Sequence, residues 1–160
     1  MIMLVNSSLD RGERIRRLAG FVKALKEEGI IDFDIKLFKH RLKLQKYVFL
    51  ARRYNFDLGY VFSLYIHGPY SPELADDYYV LSKENVPPIP VVLDKNFVFL
   101  IKRKSEWWLE LAATIVLVKE RYPGISEEEM KLLVKNSKPF ATNEEIDEII
   151  KELRAKKAID

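Results

Sequence analysis

A mainly α-helical bundle of about six helices with one small β element is the fold class this sequence predicts. Three observations predict it. Apolar residues recur at three- and four-residue steps in several long segments. Helix-start signatures stand at Ser71-Pro72-Glu73, Ser126–Glu129 and Thr142–Glu145. A single segment, Tyr60–Ile66, is β-branched and aromatic enough to read as a strand. At 160 residues the chain is near the commonest size for one domain, and residues 1–160 read as one.

Residues 8–29 predict the first helix, with Ile15, Leu18, Ala19, Val22 and Leu25 as its stripe and Gly29 as its stop. Asp32 or Asp34 is the expected cap of a second helix running to about Tyr54. Its stripe is Leu37, Leu44, Tyr47, Val48 and Ala51, interleaved with lysines and arginines. A strand near residues 60–67 follows, ended by Gly68-Pro69. Ser71 then caps a third helix to about Asn85, with proline and glutamate in the first-turn positions they favour.

The proline-rich stretch 86–90 predicts an extended connector. Residues 94–103 predict a short helix, and Ser105–Arg121, apolar nearly all round, predicts the central buried one. Two capping boxes start the last two helices, separated by Ser137-Lys138-Pro139-Phe140.

Composition narrows the chemistry. With no cysteine there is no disulfide or thiolate metal site. His40 and His67 alone make a histidine metal cage implausible, and no cofactor is expected. Charged residues reach 32% with Lys and Glu dominant, a thermophile-like composition. The apolar Met1–Val5 start is too short for a signal or membrane span, so a cytoplasmic protein is expected. There is no phosphate-binding glycine loop, Gly-x-Ser-x-Gly elbow or zincin pair.

Net charge is +3, but residues 1–60 hold 13 Lys/Arg against 7 Asp/Glu. That asymmetry suits a nucleic-acid or acidic partner, or simply a solvated helix face. Lys36, Lys39, Arg41, Lys43, Lys46, Arg52 and Arg53 are the candidate phosphate contacts, with Gln45 as a base reader. The order of helices, strand and helix is compatible with a winged-helix-like N-terminal half. The helix after Ser71 is acidic and would repel phosphates.

His67, on a turn, can bind a ligand or act as a general base with Glu73, Asp76 or Asp77, or can simply fix the turn. Glu73, Asp76 and Asp77 share a helix face that could hold a cation or pair with the basic helix. Trp107 and Trp108 predict one core and one partly exposed ring.

The helix motif Lys43-Leu44-Gln45-Lys46-Tyr47 and the downstream Tyr65-Ile66-His67-Gly68-Pro69-Tyr70-Ser71-Pro72-Glu73 occur as a pair. With Trp108–Thr114 and Lys138-Pro139-Phe140, they resemble the YwgA-like family of bacterial and archaeal proteins. More distantly they resemble the SocA-like antitoxin domain called Panacea. The resemblance spans roughly residues 10–153. It implies a helical domain that neutralises a toxin or acts as an adaptor, and it carries no catalytic residue. The segment Tyr70-Ser71-Pro72 departs from the hydrophobic residue that often follows His-Gly-Pro in the antitoxin domains. The expected function is a non-enzymatic protein-binding module, the partner being a protein such as a toxin, with Lys43, Lys46, His67, Tyr70 and Trp107 as contacts. The alternative is a nucleic-acid-binding regulator.

Overall fold

A computed structural model describes residues 9–160. The apolar stretch Met1–Val5 and the expected helix start at residue 8 lie outside the described residues. Within them the chain forms seven helices and one two-stranded antiparallel sheet. The order is α1 (Arg11–Glu27), α2 (Phe38–Ala51), β1 (Ser63–Tyr65), β2 (Gly68–Tyr70), α3 (Pro72–Lys83), α4 (Lys95–Ile101), α5 (Glu106–Arg121), α6 (Glu127–Ser137) and α7 (Asn143–Ala155).

Helix α5 is the axis of the molecule. Ten consecutive residues, Leu109–Val118, are buried, and α2, β2, α6 and α7 all pack around it. Fully burying each leucine or isoleucine contributes roughly 1.5–3 kcal/mol, so the apolar composition of this segment places it at the centre. Ser105 starts it by accepting from the Trp108 amide at 3.1 Å. Trp107 and Trp108 are both half-buried, so one ring is partly exposed as expected and the other, expected in the core, is not there. The Trp107 indole donates to Glu145 on α7 at 3.0 Å, and Trp108 stacks under the Lys104 ammonium.

Helix α2 departs furthest from expectation. Neither Asp32 nor Asp34 caps it: Leu37 stands at the cap without a side-chain bond. The Asp34 carboxylate instead accepts from the Lys36 amide at 2.9 Å, and the Asp34 amide donates to His40 Nδ1. Leu37, expected in the stripe, is 42% exposed. The helix is also not amphipathic along its length. Residues 44–51 are all buried, Gln45 and Lys46 included.

The β element is a hairpin. Its register pairs Ser63 with Tyr70, Leu64 with Pro69 and Tyr65 with Gly68. Gly68-Pro69 therefore does not stop the strand; it forms most of the return strand, and the turn falls on Ile66-His67. A two-stranded sheet consists only of edges, where a proline lacking its N–H is tolerated. Gly68 has φ +87°, and a Cβ there would lie 3.1 Å from Thr114 Oγ1 and 3.3 Å from the Glu110 carbonyl oxygen. The glycine thus lets the hairpin lie directly on α5.

Elsewhere the start signals act much as read. Ser71 accepts from the Leu74 amide, and Thr142 and Glu145 form a reciprocal capping box. Ser126 accepts from the Glu129 amide, but Glu129 takes the serine hydroxyl rather than the cap amide, so that box is incomplete. The 86–90 connector lies against α1: the Ile89 amide donates to the Arg16 carbonyl at 3.0 Å. No described helix is long and apolar enough to cross a membrane.

Candidate functional site

The paired motifs meet in space. Gln45 uses both ends of its amide on the Ser71 backbone, donating to the carbonyl at 2.9 Å and accepting from the N–H at 2.8 Å. The next residue along α2, Lys46, donates from its ammonium to the Pro69 carbonyl at 2.8 Å. The Pro69 carbonyl and the Ser71 amide lie where the hairpin ends and α3 begins and have no helix partner there, whereas the Ser71 carbonyl also accepts from the Ala75 amide at 3.2 Å. Gln45 and Lys46 supply the missing partners. That is why two polar residues occupy buried positions in α2.

A second cluster abuts the first. Glu110 is a buried carboxylate in the central apolar helix. Its Oε2 accepts from the Lys138 ammonium at 2.6 Å, and its Oε1 lies 3.2 Å from His67 Nδ1. Lys138, in the loop after α6, also donates to the Ile66 carbonyl at 2.7 Å. The hairpin turn is therefore anchored from beneath by α5 and the α6–α7 loop. Both carboxylate oxygens of Glu110 are engaged, and Lys46 has no ion-pair partner among the described residues. Burial brings the Lys46 ammonium down to about 8; Glu110 opposes that shift and the Lys138 charge adds to it.

Above Lys46 opens a cleft of about 270 Å³ between α2, the hairpin and α3. Phe38, Tyr65, Ile66, Tyr70 and Tyr79 give it an aromatic and apolar wall. Arg41, Lys46 and His67 also line it, and among the described residues no aspartate or glutamate does. Ring contacts hold the wall together: Tyr65 and Tyr70 lie 5.0 Å apart, and the Phe38 and His67 rings meet edge-on at 5.5 Å. Arg41 donates to the Ile35 carbonyl at 2.6 Å and stands over the Phe38 ring.

Of the expected partner contacts, Lys46, His67 and Tyr70 are brought together here, and Lys43 and Trp107 are not among the lining residues. Lys46 is a correction as a surface contact: it is 1% exposed and forms the floor of the cleft. Gln45 is likewise buried and reads the Ser71 backbone, not a base edge. His67 does not turn to Glu73, Asp76 or Asp77; its carboxylate is Glu110. Asp77 is fully buried and accepts from Arg11, Arg14 and the Tyr60 hydroxyl, at 3.1, 2.8 and 2.7 Å. The acidic face thus ties α3 to α1 rather than to the basic second helix. Among the described residues no group of three or more His, Asp or Glu side chains is arranged to hold a metal ion.

The expected basic stripe is broken in the same way. Arg52 and Arg53 pair with Glu120, and Arg52 stacks over Phe49. With Arg41 and Lys46 bound to carbonyls, only Lys36, Lys39 and Lys43 of the seven have no hydrogen bond or ion pair from their side chains among the described residues. Glu110 and Lys138 were missed as site residues, although a lone carboxylate in the run Leu109–Val118 is a visible signal. Comparison with protein-family models, with curated proteins and with solved structures returns no match.

Proposed function

We propose that this chain is a non-enzymatic protein-binding module that holds an apolar segment of a partner protein in the cleft between α2, the hairpin and α3. The observation that carries this reading is the ring of exposed apolar side chains around one concavity. Ile66 is 84% exposed and Phe38 58%, with Tyr65 and Tyr79 beside them. Scattered exposed apolar residues need no explanation, but a cluster around a cleft marks a contact surface. The hairpin that presents it is anchored by Lys46 and Lys138 from below, so the rim is pre-organised and little ordering cost falls on binding. The resemblance to the SocA-like antitoxin domain supports a toxin, or a client delivered by an adaptor, as the partner.

The test compares three versions of the full chain as bait in the native host. Protein retained by the wild type and by Leu132→Ser, a control at the exposed Leu132 of α6, should be lost from Phe38→Ser combined with Ile66→Ser. Recovery indifferent to the cleft variant overturns the reading.

A further inference from the structure

The cleft pairs an aromatic wall with a positive floor that no described carboxylate lines or ion-pairs with. Lys46 and Arg41 both border it, His67 stands at its edge, and no described carboxylate lines it. The one buried carboxylate nearby, Glu110, has both oxygens taken by Lys138 and His67. Lys46 makes one hydrogen bond, to a carbonyl, and its buried charge has no ion-pair partner among the described residues, Glu110 acting on it only from a distance. A charge in that setting acts on an incoming anion far more strongly than one in water. The volume of about 270 Å³ lies just below the roughly 300–1,000 Å³ of sites for drug-sized ligands. It suits one ring and one small group.

We propose that the floor of the cleft is a carboxylate-binding subsite: Lys46 and Arg41 receive a carboxylate of the partner segment while the aromatic wall takes the apolar side chain beside it. This rests on the protein-binding reading above and adds the chemistry of the bound segment. The carboxylate is a chain terminus or an Asp or Glu side chain, adjacent to an aromatic or large aliphatic residue.

Three acetylated dipeptides test it by titration into isotope-labelled full-length protein, followed at the Gly68 and Tyr70 amides. Acetyl-Ala-Phe carries a terminal carboxylate, acetyl-Phe-Asp-amide a side-chain carboxylate, and acetyl-Ala-Phe-amide neither. At least one acidic peptide should bind with a Kd at least about tenfold below that of the neutral one, equivalent to about 1.4 kcal/mol. Lys46→Met should bring that ratio close to one. Arg41→Gln, at a half-buried rim position, should reduce it and serves if Lys46→Met fails to fold. Equal binding of all three, binding of none, or an acid preference that survives both variants overturns the subsite. Equal binding in the cleft would leave the apolar docking reading standing, whereas only the bait experiment can remove that.

Discussion

The Lys46 ammonium lies 2.8 Å from the Pro69 carbonyl, and the carboxylate that acts on it, Glu110, is bound to Lys138 at 2.6 Å. One anion thus serves two buried lysines. The hairpin, α2, α5 and the α6–α7 loop are joined at this point, and the cleft opens directly above it.

Stability should carry the mark of Lys46. Its folded-state ammonium is lowered from 10.5 to about 8. Below about 8 both folded and unfolded chains hold the proton, and the folded state bears the full cost of the buried charge. As pH rises from about 8 towards 10.5 the folded chain sheds a proton that the unfolded chain keeps, so this group makes stability rise with pH. The slope is at most about 1.4 kcal/mol per pH unit. Tyr47, Tyr54 and Tyr78 are pushed up by burial to about 12, which reverses the trend above about 10. Urea unfolding of wild type and Lys46→Met should differ by this slope between about pH 8 and 10.

Glu110→Gln should be among the most damaging single changes at the site. It leaves Lys138 and Lys46 buried together with no anion, and breaking a buried pair costs roughly 3–5 kcal/mol. Adding Lys138→Met should recover much of that loss, because the stranded charge is removed with it. Denaturant midpoints of the two single variants and the double variant form the cycle that checks this.

Gly20→Ala should destabilise the protein, against helix propensity, which favours alanine by about 1 kcal/mol. A Cβ at Gly20 would fall 1.7 Å from the Ile89 carbonyl oxygen. The connector would have to lift from α1 and lose its 3.0 Å bond to Arg16. A lower melting temperature and faster amide exchange at Ile89 are expected; a variant more stable than wild type contradicts the docking of this segment.

These contacts also mark where the sequence was legible. Helix α5, the cap at Ser71 and the start of α7 follow from local pattern, because a stripe or a cap is decided within a few residues. The hairpin was half legible: Gly68-Pro69 carries a breaker signal that only the edge position overrides. Gln45 and Lys46 read as a solvated face because their partners, Ser71 and Pro69, are 26 and 23 residues away. Glu110 finds His67 at a separation of 43 and Lys138 at 28, beyond any local rule. The exposed rim was legible only at His67 and Tyr70, since Phe38 and Ile66 look like core residues until the fold leaves them outside.

The most direct test of the buried charge without an ion-pair partner beneath the cleft is the titration of Lys46 itself. Carbon-detected NMR of lysine Cε resonances, assigned by the signal missing from Lys46→Met, would follow it in the intact chain. A midpoint near the expected value of about 8 supports a buried cation without its own carboxylate. A midpoint at or above the ordinary 10.5 would mean that Lys46 is solvated or paired, and would contradict the account of the cleft built on it.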